Sequence, residues 1–273
     1  MQRKEMTLKE LQSESLAILK DVHTFCVEHG IKYSVAYGTL IGAIRHKGFI
    51  PWDDDVDIIM PREHYARFCN EYKSHSYKFE CQENSDSCYL AFGRVYDDLR
   101  TEAETVVPWH KGSNGVWIDV FPADFVTDDF MEFMSNKKRL QRQWRATVWG
   151  REALKGFDIN YSALFNIKLL VKKIITINGR VAKSQINRLI KNTQAISRHN
   201  SSHWSQLACL DGYEWHRSED FSRTLLMPFE DMEVMVMNGY DMVLRECYGD
   251  YMQLPPEEQR VGHSDGFTKF YWK

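Results

Sequence analysis

The sequence predicts an α+β protein, with a mixed sheet flanked by helices in its first half and a mainly helical middle and C-terminal region. Three observations carry this reading. Ile31, Tyr33, Val35 and Tyr37 alternate with Lys32, Ser34 and Ala36, the pattern of a half-buried strand. Leu8, Leu11, Ile18, Val22 and Phe25 instead recur at helical intervals. From about Asp128 helical spacing takes over, with Phe130, Phe133, Met134 and Leu140 on one face, followed by Trp144, Val148 and Trp149.

The elements follow in order. Thr7-Leu8-Lys9-Glu10 has the spacing of a capping box, and His29-Gly30 supplies the stop of the opening helix. The first strand then delivers the chain to Gly38-Thr39. Leu40 to His46 reads as a short helix, Lys47-Gly48 as a turn, and about Asp55 to Met60 as a second strand. Pro61 suits the first turn of a helix running to about Tyr72. Short strands are expected at Tyr77 to Gln82, Tyr89 to Tyr96 and Val116 to Phe121. Ser162 to Ile177 is apolar on one side and carries Lys168, Lys172 and Lys173 on the other. A last helix is expected around Met237 to Cys247, before Leu254-Pro255-Pro256 stops the chain.

At 273 residues the chain can bury a substantial core. It contains no run of about 18 uncharged apolar residues, and its first residues are charged, so a soluble, cytoplasmic protein is expected. Six cysteines without a C-x-x-C pair suggest neither a disulfide framework nor a zinc site. The net charge of -3 is unevenly spread. Lys137 to Arg198 holds 15 basic and 2 acidic residues, so this stretch is strongly positive and the remainder strongly negative. Such a split suits a basic surface facing phosphates or anionic lipid, with metal-binding acids elsewhere.

The chemistry concentrates between Tyr37 and Pro61. Alternate residues of a strand share a face, so Asp55 and Asp57 are expected to point together, with Val56 and Ile58 opposite. Paired carboxylates repel unless a cation joins them. Mg²⁺ suits all-oxygen ligands shared with substrate phosphates, and Mn²⁺ is the alternative. Asp53 can join as a third ligand, with Asp54 facing away. A calcium loop of the EF-hand type is excluded, because its required Gly and Glu positions hold Ile58 and His64. The plain alternative is a solvated acidic turn. Upstream, Gly38 and Thr39 stand between strand and helix, where backbone N–H groups can meet a phosphate.

The Gly-Thr turn followed by D-x-D on the next strand resembles the nucleotidyltransferase fold of the DNA polymerase beta superfamily. More narrowly, G-T-L-I-G-A-I-R-H-K-G-F-I-P-W-D-D-D-V-D-I is similar to the signature of the LicD family. That family includes phosphocholine transferases of bacterial surface polysaccharides and the related domain of fukutin-related protein. Gly115 to Pro122 and the C-terminal Tyr248 to Met252, Leu254 to Glu258 and His263 match as well. The resemblance therefore spans nearly the whole chain, as a single catalytic domain over residues 1–273. A basic helical insertion or subdomain at about residues 128–225 matches least, and substrate choice is expected there.

The resemblance implies transfer of phosphocholine from CDP-choline, or of another CDP-alcohol's phospho-alcohol, to a hydroxyl of a cell-surface glycan or its lipid-linked precursor, releasing CMP. It implies Asp53, Asp55 and Asp57 as the metal-binding acids and Asp119 as the further carboxylate beside the metals; Asp119 either helps to deprotonate the acceptor or is a strand-end residue bonded to backbone. Gly38 and Thr39 would hold the donor phosphates. Arg45 and Lys47 either steady the leaving phosphate or are surface charges. Arg94 and Asp97 are candidate nucleotide contacts, and His46 and His263 candidate substrate-orienting or structural residues. Trp52, Trp109 and Trp117 offer faces for a quaternary ammonium, or else belong to the core. No nucleic-acid polymer is expected as a partner, while peripheral membrane contact through the Ser162 to Ile177 helix is considered. The readings left open are transfer of glycerol phosphate, ribitol phosphate or a nucleotidyl group, a sugar-nucleotide glycosyltransferase, and a non-catalytic membrane-associated scaffold.

Overall fold

The computed structural model describes residues 3–105, 108–109, 114–151, 154, 162–176, 180–198, 201–207, 214–262 and 268–273. Helix α1 (Leu8–Glu28) opens on the expected capping box. The Glu10 N–H donates to Thr7 Oγ1 at 3.3 Å and the Thr7 N–H donates to Glu10 at 2.9 Å. Its buried stripe of Leu11, Ile18, Leu19, Val22 and Cys26 lies against the central sheet.

That sheet runs β2 (Ser34–Val35), β3 (Asp57–Pro61), β7 (Val116–Val126), β5 (Gly93–Asp97), β4 (Lys78–Glu80), with β8 (His203–Gln206) and β9 (His216–Arg217) continuing from the far end of β7. β3 and β7 are parallel, and the other pairings described are antiparallel. Residues of alternate parity face opposite sides. Val35, Ile58, Met60, Val95, Ile118 and Val120 meet α1 and α3 (Arg62–Glu71) in the larger core. Ile59, Phe92, Tyr96 and Phe121 face the other way, onto Trp109, Trp204 and Val243. Asp57, Arg94 and Asp119 belong to this second face by parity, so the sheet separates the core packed on α1 from the site.

Two devices brace the segment between β2 and β3. Helix α2 (Tyr37–Ile41) continues into a π-helical turn, Gly42–His46, and ends at Lys47 in the left-handed region. The hairpin of β10 (Thr224–Phe229) and β11 (Met232–Met237) packs on β2, its Met237 N–H donating to Ser34 Oγ at 2.9 Å. At the hairpin's tip, Glu230 sits at φ 53, its N–H donating to the Lys47 carbonyl at 2.8 Å. Its carboxylate accepts the Phe49 N–H at 3.0 Å. Gly48 admits this contact, because a Cβ there would come within 2.2 Å of the Glu230 carboxylate. A small sheet of β1 (Lys4–Glu5), β12 (Thr268–Trp272) and β6 (Thr101–Thr105) flanks the other end.

The α+β class expected from the sequence is what the structure shows, with differences at the boundaries. The second strand begins at Asp57 rather than Asp55, because pairing with β7 starts at Asp57 opposite Asp119. The helix expected from Leu40 begins at Tyr37, three residues earlier, so Gly38 and Thr39 lie in its first turn rather than ahead of it, with Tyr37 itself at φ 50. β7 runs past Phe121 to Val126 because β8 pairs with its last four residues. The helical middle comprises α4 (Phe130–Arg151), α5 (Ala163–Ile175) and α6 (Arg180–Ile196). It stops there rather than near residue 225, since the chain returns as strands β8 to β11. β8 hid from the sequence reading because Ser205 and Gln206 are polar yet fully buried, so apolar alternation is absent. Met237 closes β11, and the last helix, α7, spans Tyr240–Tyr248. Cys26, Cys69, Cys81, Cys88 and Cys247 are free thiols, while Cys209 lies outside the described residues. Among the described residues no helix is long and apolar enough to cross a membrane.

Candidate active site

The site is written into the register of three strands. Asp57 on β3 is the ladder partner of Asp119 on β7, and Asp119 is the partner of Arg94 on β5. Ladder partners project from the same face, so the three side chains stand in one row. Arg94 grips Asp119 with both arms of its guanidinium, Nη2 to Oδ2 at 3.0 Å and Nε to Oδ1. The guanidinium lies 4.2 Å from the centre of the Trp117 ring, with Trp109 at 5.0 Å and Phe92 at 5.7 Å. Such a sleeve favours Arg over Lys, because a planar cation can pair in its plane and stack through its faces. Asp57 is the electrostatic opposite. Burial, followed by the charges of Asp55, Asp119 and Asp53, holds its pKa well above the usual carboxylate range, with only Arg94 acting the other way.

Beside this row the loop before β3 gathers the remaining acids. One ligand oxygen from each of Asp53, Asp54 and Asp55 lies within 4.8 Å of the others. Asp54, expected to face away, is therefore part of the cluster. The reason is that these residues precede the strand, so the alternation of a pleated chain does not govern them. Asp53 Oδ2 is buried without a hydrogen-bond partner. Burial, then Asp55 and Asp54, pushes its pKa up to about 8. An orphaned carboxylate oxygen among like charges fits a divalent cation with hard oxygen ligands, since the ion would supply the missing partner.

The Gly-Thr turn is fastened to these acids. Thr39 Oγ1 accepts the Asp57 N–H at 3.0 Å, and the Ala36 N–H donates to the Asp57 carbonyl at 2.9 Å. A Cβ on Gly38 would lie 2.8 Å from Asp53 Oδ2, so any other residue would displace that carboxylate or be displaced by it. The turn thus meets the acids with no side chain between.

Most other residues singled out from sequence lie apart from this row. Arg45 donates from Nη1 to the carbonyls of Tyr251 at 2.6 Å and Gln253 at 3.2 Å, and from Nε to His46 at 2.9 Å. It ties the π-helical turn to the C-terminal Tyr248 to Met252 motif. Lys47 is exposed at the turn held by Glu230. Trp52 is half-buried with the Arg260 guanidinium 5.5 Å from its ring. Trp109 and Trp117 cover Arg94, so those faces serve a cation of the protein itself. Asp97 receives the Leu99 N–H at 2.9 Å and Arg100 at 2.8 Å, away from the acids. His263 lies outside the described residues.

Sequence reasoning missed a cleft beside Gly38. Tyr37, Leu40, Ile59, Trp204, Glu214, His216 and Tyr248 are among the residues lining it. It encloses about 20 Å³, room for one water. Tyr37 donates to Glu214 at 3.3 Å, and His216 pairs with Glu246 at 2.6 Å. Tyr248 forms the outer wall, and its pKa is raised by burial, then by Cys247, Asp57, Glu214 and Asp53. The signal in the sequence was the aromatic opening of the Tyr248 to Met252 motif.

The chain is 33% identical over 269 residues to the lipopolysaccharide cholinephosphotransferase LicD of Haemophilus influenzae, covering 95% of this chain and 97% of that protein. An uncharacterised protein of Rickettsia typhi is 36% identical over 83 residues, 29% of this chain and 27% of its own length. Another, from Rickettsia prowazekii, is 51% identical over 41 residues, 15% of each chain. The sequence profile of the LicD/FKTN/FKRP nucleotidyltransferase domain matches residues 30–166, which contain the Gly-Thr turn, the four aspartates of the loop and β3, and the Arg94–Asp119 pair. The chain belongs to the LicD family.

Proposed function

We propose that this protein is a phosphotransferase that moves phosphocholine from CDP-choline to a hydroxyl of a surface glycan, with CMP as the leaving group. The observation that carries the reading is the row Asp57–Asp119–Arg94 beside the Asp53–Asp55 cluster, in a chain aligned over 95% of its length with a lipopolysaccharide cholinephosphotransferase. The acceptor oxygen attacks the phosphorus that bears choline. The bond from that phosphorus to the bridging oxygen breaks, and CMP departs with the electron pair.

A divalent cation, Mg²⁺ or Mn²⁺, held by Asp53, Asp54 and Asp55 with Asp57 alongside, would neutralise the diphosphate. The chain's own residues do the rest. The turn at Gly38 and Thr39 receives the donor phosphates where no side chain intervenes. Asp119, oriented by Arg94, keeps a second lone pair on each oxygen and accepts the hydroxyl proton. The choline head would enter at the cleft of Tyr37, Trp204 and Tyr248, whose rings offer cation–π faces and whose Glu214 offers a carboxylate. The cleft has room for only one water as it stands, so the half-exposed Tyr248 would have to move outward to admit the head group.

The test is release of CMP by the purified protein with Mg²⁺, an acceptor glycan and a panel of CDP-choline, CDP-glycerol, CDP-ribitol and sugar nucleotides. Turnover of CDP-choline is expected. Turnover of another CDP-alcohol alone would reassign the donor, and turnover of a sugar nucleotide alone would overturn phosphotransfer.

A further inference from the structure

Helix α5 is apolar on its outside. Leu164, Ile167, Val171, Ile174 and Ile175 are between 49 and 69% exposed, while Leu169 is buried. Spacings of three, four, three and one place the exposed five on one stripe of the helix. Asn166, Lys172 and Lys173 are half-buried on the other side. The helix is secured at both ends, by Ser162 accepting the Phe165 N–H at 3.2 Å and by Thr176 donating to the Lys172 carbonyl at 2.8 Å. Five large aliphatic side chains in one exposed row exceed the single apolar residues normal on a soluble surface.

Charge identifies what covers the row. Lys137 to Arg198, which includes α5, holds 15 basic and 2 acidic residues. Lys168 is exposed on α5 itself, and Arg180, Arg188 and Lys191 line a groove along α6, in which Lys183 is tied to the Ser85 and Cys88 carbonyls. A second copy of the chain docked through this face would bring the same strong positive charge against it. An anionic bilayer brings the opposite charge and an apolar layer just beneath. A helix of 13 residues is too short to span a membrane, which takes about 20.

We propose that α5 seats its apolar stripe at the headgroup–acyl boundary of an anionic bilayer, with the cations of α5 and α6 on the lipid phosphates. This goes beyond the proposed transfer chemistry and does not depend on it. It would carry the enzyme to an acceptor that is itself anchored in the membrane.

The experiment is co-sedimentation of the full chain with vesicles of equal parts phosphatidylglycerol and phosphatidylcholine, and with vesicles of phosphatidylcholine alone. Binding is expected to the anionic vesicles and to weaken with added salt. The triple variant Ile167→Gln, Val171→Gln, Ile174→Gln is expected to bind about tenfold less or worse. Its CMP release with soluble donor and acceptor is expected to stay unchanged, since none of the three touches the site. Lys168→Glu, a single exposed change, provides a second reading if the triple variant fails to fold, and is expected to reduce anionic binding alone. Absence of wild-type binding, or equal binding by the variants, would overturn the proposal. So would a wild-type dimer that the triple variant converts to monomer without any vesicle binding.

Discussion

Asp57 and Asp119 face each other across the parallel pair β3–β7, and Arg94 pairs directly with the second of them. Two carboxylates in one row are thereby made unequal. One is paired with a cation in its plane, the other is pressed toward its protonated form by burial and by its neighbours. Loss of Arg94 should leave the Asp119 carboxyl without its partner at a site where the pair is only 12 and 15% exposed. Arg94→Met is expected to cost about 3–5 kcal/mol of stability, read by denaturant unfolding. Arg94→Met combined with Asp119→Asn should recover part of that loss and none of the turnover. Asp119→Asn alone should lower kcat by about a hundredfold or more while donor binding persists.

Asp53 links the acids to pH. The folded chain keeps its proton up to about pH 8, whereas the unfolded chain releases it near 3.8. Between those values the unfolded state binds fewer protons, so the metal-free protein loses stability as pH rises through that window. Mg²⁺ competes with the proton, and its stabilising effect is expected to grow as pH rises toward 8. Thermal melts across the range with and without Mg²⁺ read this directly. Asp53→Asn should flatten the slope and shrink the Mg²⁺ shift.

Thr39 should separate a role in the scaffold from one on the donor. Thr39→Val removes the acceptor for the buried Asp57 N–H and is expected to cost about 1–3 kcal/mol. Thr39→Ser should keep most of it. Gly38→Ala brings a methyl to 2.8 Å of Asp53 Oδ2 and should weaken Mg²⁺ binding, measured by calorimetry, beyond any loss of stability.

Arg45 is the converse case. Its guanidinium is spent on the Tyr251 and Gln253 carbonyls, so Arg45→Met should lower the melting temperature and leave the donor KM nearly unchanged. A rise in KM with unchanged stability would return Arg45 to the donor phosphates.

Tyr248 should govern the donor's head group. Tyr248→Ala removes the outer wall of the cleft and is expected to raise the KM for CDP-choline more than that for CDP-glycerol, which lacks a quaternary ammonium.

Local chemistry was legible in the sequence where it depends on neighbours in the chain. The capping box at Thr7, the alternation around Val35 and the acids before Ile58 are of this kind. Register was not, because nothing near Asp57 states that Asp119 lies opposite it. Arg94 was therefore read as a nucleotide contact, though its partner is a carboxylate one strand away. Trp109 and Trp117 were read as faces for a ligand, though a guanidinium lies against both. The β10–β11 hairpin was missed although Glu230-Asp231 joins two six-residue strands, because Met-rich segments satisfy helical and strand spacing alike.

The grip of Glu230 on Lys47 and Phe49 joins positions more than 180 residues apart. A nascent chain carries every aspartate of the loop well before this clasp has been synthesised. Until the hairpin has been made, the Lys47 carbonyl and the Phe49 N–H lack these partners, so the segment that leads into the acids takes its final shape only late in synthesis.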